Sequence, residues 1–361
     1  MSDSSKIEWT EATWPVTVGC DHVSAGCDHC YAATLTSGRL KHLPEYAGLA
    51  EHGRFNGTVR CLPERLDWPL KWRKPRRIFV CSMSDLFHES VPDEFIAEVF
   101  AVMASAQRHT FQVLTKRHGR MRSLLSSPDF RLAVRAATVR LLRTGHPDFR
   151  AVDEWPLPNV WAGVSAEDQH WAEIRVHALL ATPAAVRWVS AEPLLGPIDL
   201  RNLRAGNGAL IDALCGDVKT PAGEIYAACP GSVSWVVAGG ESGAGARPMH
   251  PDWPRSLRDQ CRAARTPFLF KQWGAWGSLS PVDSEGRFTW RGAHAVANDG
   301  TVYSGDDLAW PDGPRRGEAI RAGHDRAHLT NMYRLGKGRT GRDLDGRTWD
   351  EYPPAARPVT A

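Results

Sequence analysis

Six short apolar runs, each ending in a polar or glycine-rich turn, constrain the fold of this 361-residue chain more than any other feature. Each run opens with four or five apolar, β-branched or aromatic residues, as is typical of a strand buried on both faces of a sheet. The runs span residues 77–85, 111–117, 160–168, 186–193, 235–243 and 268–274. A shorter run at residues 15–20 brings the predicted strands to seven.

Helical patterns lie between these runs. Residues 92–107 begin at a proline and place Phe95, Ile96, Val99, Phe100 and Met103 on one helical face. Residues 167–182 and 250–265 have similar patterns. Alternation of strand and helix indicates parallel β/α units. We therefore predict an α/β fold, a single (β/α) barrel or partial TIM-like barrel, with an open doubly wound sheet as the alternative.

Three stretches interrupt this alternation, at about residues 42–76, 127–158 and 196–232, and we predict that they are insertions. From about residue 277 the chain becomes polar and rich in Gly, Asp and Arg. The predicted organisation is a barrel core over residues 1–276 and a C-terminal extension or lid over residues 277–361.

Composition narrows the class of protein. No window of about 18 apolar residues is present, and the polar N-terminus lacks a secretory h-region. We expect a cytoplasmic protein with reduced thiols and no contact with a membrane. A net charge of +3 does not single out a nucleic-acid binder, but residues 65–77 combine Lys and Arg with Trp68 and Trp72. Such a stretch suits a phosphate backbone with stacked bases, or a solvated surface over apolar area.

The cysteines are the main chemical signal. Cys20, Cys27 and Cys30 place three of the eight cysteines within eleven positions, in the pattern C-x6-C-x2-C. Thiolates are soft ligands that suit zinc or iron–sulfur clusters. A structural zinc needs four ligands, which His22 or His29 would complete. Three thiols fit a [4Fe–4S] cluster better, with one iron left for a non-protein ligand.

Polar residues follow every predicted strand. At the carboxyl ends of barrel strands, where active sites lie, such residues point to one polar site, although Ser, Asp and Glu there also cap helices. The glycines Gly239 and Gly240 offer N–H groups to an anion or simply form a turn. His88 is a candidate general acid or base, or a packing residue. The strand-end residues are Ser82, Ser84, Asp85, Lys116, Arg117, Ser165, Glu167, Ser190, Glu192, Glu241, Ser242, Lys271 and Gln272.

Long motifs across the chain resemble a known family. They include IEWTEATW, GCDHVSAGCDHCYA, CSMSDLFHE, QVLTKR, VSAEPLLGPIDL, GGESGAGARPMHPDW, FKQWG and GRDLDGRTWDEYP. They resemble the phage-encoded three-Cys-motif family, a domain of unknown function with a radical-SAM-like cysteine motif. The lead-in WPVTVGC lacks an Asn expected there, the first cysteine gap is six residues rather than the usual three, and GGES comes four strands later than expected.

The resemblance implies a radical-SAM-like iron–sulfur enzyme. Cys20, Cys27 and Cys30 would hold a [4Fe–4S] cluster, S-adenosyl-L-methionine (SAM) would bind the open iron, and an external electron donor would drive SAM cleavage and hydrogen abstraction. The candidate substrate is a nucleotide or nucleic-acid base. On this hypothesis the catalytic residues are Asp85, Lys116 and Glu192. The cofactor contacts are Ser82, Ser84, Asp85, Ser165, Glu167, Gly239, Gly240 and Glu241, and the substrate contacts are Lys116, Arg117, Lys271 and Gln272.

The alternative is a zinc-stabilised nucleic-acid-binding protein without catalysis. It uses the same three thiols with His22 or His29, and it predicts that removing the metal unfolds the N-terminal region. It accounts for the basic stretch at residues 65–77 but gives the strand-end carboxylates no role.

Overall fold

A parallel sheet of seven strands forms the centre of the molecule. The computed structural model describes residues 5–142, 154–227, 231–278, 292–304, 308–309 and 313–354. The sheet is curled and flanked by helices, and its strands lie side by side in chain order. That order lacks the reversal of a doubly wound sheet, so this alternative was wrong. The strands, labelled β1–β7, are Ala12–Trp14, Arg77–Val80, Thr110–Thr115, Val160–Ser165, Val186–Ala191, Trp235–Gly239 and Phe268–Gln272.

The part of the chain that the structure describes contains nine α-helices. The three predicted from periodicity are present, and the one that follows Pro92 buries the predicted apolar face against the sheet. The helices, α1–α9, are Tyr31–Ser37, Trp68–Lys71, Asp93–Ser105, His118–Ser126, Pro128–Leu142, Gln169–Leu180, Asp252–Ala264, Arg316–Arg321 and Lys337–Thr340. Short 3₁₀ helices span Ala25–Cys27, Pro63–Arg65 and Arg326–His328.

The first sheet strand lies earlier than predicted. Ala12–Trp14 pairs in parallel with Arg77–Val80, whereas Thr17–Val18 pairs with Arg60–Cys61 in a separate two-stranded sheet. Pro15 stands between them and has no N–H to continue the ladder. The chain therefore leaves the sheet before the cysteine motif rather than at it.

The predicted insertions have defined structure. Residues 42–76 contain the strands Ala50–Glu51, Arg54–Phe55 and Arg60–Cys61 and helix α2. The second insertion begins with helix α5, and residues 143–153 of this insertion lie outside the described residues. The third is an antiparallel meander of Leu203–Arg204, Leu210–Asp212, Asp217–Lys219 and Ile225–Ala227.

The C-terminal segment packs beside the sheet. The strands Trp276–Gly277, His294–Ala297, Val302–Ser304 and Leu329–Arg334 form a second antiparallel sheet, and Leu308–Ala309 pairs with Gly313–Pro314. The Phe270 N–H of β7 donates to the carbonyl of Trp349 at 2.9 Å. This contact covers the otherwise open edge of β7. The division into residues 1–276 and 277–361 stays a prediction.

Aromatic packing accounts for much of the tryptophan content. Trp9, Trp188 and Trp235 are almost fully buried on one side of the sheet, with ring centroids of Trp188 and Trp235 5.2 Å apart. Among the described residues, no helix is long and apolar enough to cross a membrane.

Candidate functional site

A cavity of about 570 Å³ lies at the carboxyl ends of the central strands. Because the strands are parallel and adjacent, the residues that follow them meet at one edge of the sheet. Those that line the cavity are Ser82, Ser84 and Asp85 after β2, Lys116 and Arg117 after β3, Ser165, Ser190 and Glu192 at β4 and β5, Gly240, Glu241 and Ser242 after β6, and Lys271 and Gln272 at β7. Two predicted contacts, Glu167 and Gly239, are not among its lining residues.

The cysteine loop, defined here as residues 20–30, closes one side of this cavity. Cys20, Cys27 and Cys30 all line it, and α1 begins directly after Cys30. Burial raises the pKa of Cys20 to about 12, and the Asp85 carboxylate adds to the rise. Within the described residues, no three His, Cys, Asp or Glu side chains are grouped so as to hold a metal ion. Binding a metal therefore requires the thiol side chains to converge.

A fourth cysteine lines the same cavity and was missed from the sequence. Cys81 is buried, has a left-handed backbone with φ of +60°, and its sulfur accepts a hydrogen bond from the Thr17 hydroxyl at 3.2 Å. Its position directly after β2, where the other site residues follow their strands, was the available signal. The seven described cysteines are free thiols, and Cys229 lies outside the described residues.

Asp85 and Arg117 form the charged wall beside Cys20. The Asp85 carboxylate accepts hydrogen bonds from the Thr115 hydroxyl at 2.7 Å and from the N–H groups of Lys116 and Phe87, both at 3.0 Å. Burial raises its pKa, and these hydrogen bonds oppose the rise. Arg117 donates to Asp85 at 3.3 Å and to the Cys20 sulfur at 3.6 Å.

Asp21 links this wall to His88. Its carboxylate forms an ion pair with Arg117 and lies 3.3 Å from Nε2 of His88. His88 is buried, and burial lowers its pKa, so its imidazole is neutral near pH 7. His88 does not line the cavity, so a packing role fits this residue better than a role as a general acid or base.

Glu192 and Lys271 form the opposite wall. The Lys271 ammonium lies 2.9 Å from Glu192 Oε1, while Oε2 accepts hydrogen bonds from the Trp9 indole and the Ser190 hydroxyl, both at 3.2 Å. Next to them, the side-chain oxygen of Gln272 is buried and has no partner among the described residues. This wall therefore presents a carboxylate and an ammonium to the cavity, whereas the unpartnered oxygen of Gln272 is itself buried.

Glu167 lies beneath the cysteine loop. It is fully buried and pairs with the equally buried Arg175 at 2.7 Å. Its other oxygen accepts hydrogen bonds from the Ser24 hydroxyl and, at 3.3 Å, from the Gly26 N–H. The structure thus places Glu167, a predicted cofactor contact, against the cysteine loop instead of at the cavity.

The glycine pair after β6 serves chain packing. The Gly240 N–H donates to the carbonyl of Gln272 at 2.9 Å, so it is not available to an anion. Glu241, the next residue, pairs with Arg247 at 2.8 Å and lies 3.1 Å from Nδ1 of His29. The glycines allow β6 and β7 to approach closely, and they bring Glu241 to the cysteine loop.

In the basic stretch at residues 65–77, one tryptophan is buried and the other is part-buried. Trp72 is buried, and Trp68 packs against the main core. Arg65 pairs with Glu45 at 2.6 Å, and Lys71 pairs with Asp67 at 2.7 Å. Part of the charge of this stretch is therefore neutralised within the chain, and its contact with nucleic acid stays a prediction.

The fold and site define an α/β protein whose parallel strands end at a cavity lined with thiols and charged groups. The family model described as "Protein of unknown function (DUF5131)" matches residues 4–353. The chain therefore belongs to this family, which confirms the prediction of a family of unknown function. Neither the curated proteins nor the solved structures that were searched contain a match.

Proposed function

We propose that the protein is a radical-SAM-like iron–sulfur enzyme acting at the strand-end cavity. The observation that carries the proposal is that Cys20, Cys27 and Cys30 line the same cavity as the polar residues that follow six of the central strands. Core packing does not call for a charged or hydroxyl group at each of these positions. Soft ligands beside paired carboxylates and cations make a site for a metal and a polar ligand.

The sulfur donors of the cysteine loop fit an iron–sulfur cluster. Three thiolates suit iron–sulfur ligation, and a thiol that binds a metal loses its proton whatever its pKa in the free protein. With its SAM ligand, the cluster would supply one-electron cleavage of SAM and hydrogen abstraction from a substrate. The seven free thiols among the described cysteines agree with the reducing compartment that this chemistry needs.

The chain's own residues would bind and orient the ligands. Asp85, held by Thr115 and by two backbone N–H groups, offers a fixed negative charge for an amino group. Glu192 offers acceptors for hydroxyl or amino groups on the opposite wall. The cavity volume of about 570 Å³ lies in the range of pockets for cofactor-sized ligands.

A nucleotide or nucleic-acid base is the proposed substrate class. Lys116 lines the cavity and forms no salt bridge with any described residue, whereas Arg117 and Lys271 already pair with carboxylates. Among the cations that follow the central strands, Lys116 is thus the best placed to meet a phosphate. Because the tryptophans of residues 65–77 are packed, the cavity rather than that surface would be the contact. Binding of a nucleotide that weakens as salt rises would support this, and salt-independent binding would count against it.

We further propose that the sheet is part of a TIM-like barrel. Parallel strands in chain order with helices in their connections are the arrangement of such a barrel, and here every connection except that between β5 and β6 contains a described helix. In that architecture the carboxyl ends of the strands carry the active site, which is where the thiol-lined cavity lies.

Anaerobic reconstitution followed by iron and sulfide analysis is the decisive test. We expect a brown protein with about four irons and four sulfides per chain that cleaves SAM when dithionite is added. Ala substitutions at Cys20, Cys27 and Cys30 should abolish cluster binding, whereas Cys81→Ala, the matched control in the same cavity, should retain it. A colourless protein with one tightly held zinc would overturn the proposal.

The zinc alternative receives less support from the two histidines. Nδ1 of His29 faces Glu241, and its ring packs so closely on Gly245 that a Cβ built there would lie 2.6 Å from Nε2. His22 pairs with Asp28 at 2.7 Å and is more than half exposed. Both residues line the same cavity as the three thiols, but each ring already faces a carboxylate of the chain. Removing the metal with a chelator distinguishes the iron–sulfur enzyme from the zinc-stabilised nucleic-acid-binding protein. The zinc alternative predicts that metal removal unfolds the N-terminal region.

A further inference from the structure

Two carboxylates from different strands hold the cysteine loop from two sides. The first group, which we call the Glu167 clamp, consists of Glu167 and Arg175 below the loop. Glu167 binds the Ser24 hydroxyl and the Gly26 N–H, and Arg175 also donates to the carbonyl of Ser165 at 2.8 Å. The Arg175 guanidinium lies 4.0 Å from the centre of the Trp171 ring. Glu167, Arg175, Ser24 and Ser165 are buried, and Gly26 and Trp171 are part-buried, so this clamp ties the loop to β4 and α6 with its two charges shielded from solvent.

The second group, the Glu241 clamp, consists of Glu241 and Arg247 above the loop. Arg247 binds both oxygens of Glu241, at 2.8 and 2.9 Å. The same guanidinium donates to the Asp28 carboxylate at 3.0 Å and to the carbonyl of Ala25 at 2.7 Å. Glu241 also faces Nδ1 of His29. Three positions of the loop are therefore tied to the segment after β6.

Two glycines make these contacts possible. A Cβ at Gly26 would lie 2.5 Å from Glu167 Oε1, and a Cβ at Gly245 would lie 2.5 Å from the His29 ring. Real Cβ atoms do not approach so closely, so any larger residue would push the carboxylate or the imidazole away from the loop. At these two positions, glycine is therefore required for the carboxylate and the imidazole to reach the loop as they do.

None of the clamp bonds uses a thiol. Their loop partners are Ser24, Ala25, Gly26, Asp28 and His29, which lie between the cysteines of the motif. The backbone of the loop is thereby fixed while the sulfurs of Cys20, Cys27 and Cys30 stay available. Side-chain rotation, rather than folding of the loop, is then what metal binding has to provide.

We propose that Glu167 and Glu241, with Arg175 and Arg247, are positioning residues that hold the cysteine loop in its metal-binding form. The proposal rests on the proposed function in so far as the loop binds a metal. It assigns Glu167 and Glu241 to the loop instead of to SAM. A loop fixed by the protein loses less conformational entropy when the metal binds, and this raises the affinity for the metal.

The test uses the full-length protein after chelation, with amide hydrogen exchange of residues 19–30 as the first measurement. Arg247→Gln removes the arginine from the Glu241 clamp, and Ser24→Ala weakens the Glu167 clamp without leaving a buried charge unpaired. We expect exchange in the loop to be about tenfold faster in each variant. Arg201→Gln, whose arginine pairs with Asp212 at 2.8 Å in the meander, and Ser105→Ala in α3 are the matched controls and should leave loop exchange unchanged.

The second measurement is titration with Co²⁺, followed by the charge-transfer absorption of cobalt bound to thiolate. We expect Arg247→Gln to weaken Co²⁺ binding by about tenfold, which is the usual effect of losing a group that orients a metal ligand. The melting temperature of each metal-free variant is recorded alongside, and Arg247→Lys should recover part of the affinity.

The two proposals can fail separately. Unchanged loop exchange in both variants would overturn the clamp proposal even if the wild-type protein forms an iron–sulfur cluster. A lower melting temperature with unchanged Co²⁺ affinity would also overturn it, because the clamps would then only stabilise the fold. Faster loop exchange and weaker Co²⁺ binding in a protein that forms no cluster would support the clamps and overturn the iron–sulfur function alone.

Discussion

The tetrapeptide Val-Ser-Ala-Glu occurs at residues 164–167 and 189–192, and its two copies do different things. They lie side by side in the sheet, with Val164 paired to Val189 and Ser165 to Ser190. After the first copy, Asp168 caps helix α6, and Glu167 is drawn under the cysteine loop to Arg175. After the second copy comes Pro193, and Glu192 faces the cavity and Lys271.

The difference shows that the partner, not the motif, decides what a strand-end carboxylate does. Glu167 is fully buried and paired with a buried arginine, whereas the side chain of Glu192 retains 13% exposure and pairs with a partly exposed lysine. A buried charge depends strongly on its partner, while a charge near solvent does not. The pair of glutamates therefore offers a direct comparison of a positioning group with a group that faces the ligand.

The largest expected effect is on stability. Glu167→Gln leaves Arg175 as a buried charge without its carboxylate, and we expect a loss of about 3–5 kcal/mol in the free energy of unfolding. Glu192→Gln should cost roughly 1–2 kcal/mol, because Lys271 reaches solvent. Urea unfolding of both variants measures the difference. Equal losses would contradict the contrast between the two sites.

A double variant separates the stability of the Glu167 clamp from its effect on the loop. Adding Arg175→Met to Glu167→Gln removes the uncompensated charge, and we expect about 2 kcal/mol of the lost free energy of unfolding to return. Loop exchange at residues 19–30 should stay fast, because the Glu167 carboxylate is still missing. Recovery of slow loop exchange along with stability would argue that the pair acts only on the fold.

Substitution of Glu192 should change the rate of SAM cleavage. If the cavity is the active site, Glu192→Gln lowers the rate of SAM cleavage by about tenfold, equivalent to roughly 1.4 kcal/mol, because the charge that orients Lys271 is lost. The rate is measured under dithionite with cluster content matched to the wild-type protein. Glu224→Gln, on the exposed meander, is the control and should react as the wild type does. An unchanged rate in Glu192→Gln would remove this residue from the catalytic set.

The smallest effect is expected at the cation of the second pair. Lys271→Met should change the free energy of unfolding by about 0.5–1 kcal/mol, since ion pairs near solvent contribute little. Thermal unfolding followed by circular dichroism measures this change. A loss close to that of Glu167→Gln would show that the Glu192–Lys271 pair is more strongly desolvated than its exposure indicates.

Much of the site was predictable because parallel strands bring their carboxyl ends together. Asp85, Lys116, Arg117, Ser165, Glu192 and Gln272 were expected at one edge of a sheet from their place after apolar runs, and they line one cavity. The first strand was misplaced because the apolar run at residues 15–20 resembles a strand, while Pro15 ends the actual one. Cys81 was missed because its nearest cysteines in the sequence are twenty residues or more away.

The sequence by itself determined six of the seven strands, the helices predicted between them and the clustering of three thiols, because periodicity and spacing are local properties of the chain. The tertiary structure alone decided that Glu167 and Glu241 hold the cysteine loop, that Glu192 faces the cavity, and that Trp68 and Trp72 pack inward. Each of these depends on partners that are distant in the sequence, such as Glu241 and Ala25 around Arg247 or Ser24 and Glu167. The charge and burial of a residue are set by such partners, and two identical tetrapeptides therefore acquired two roles.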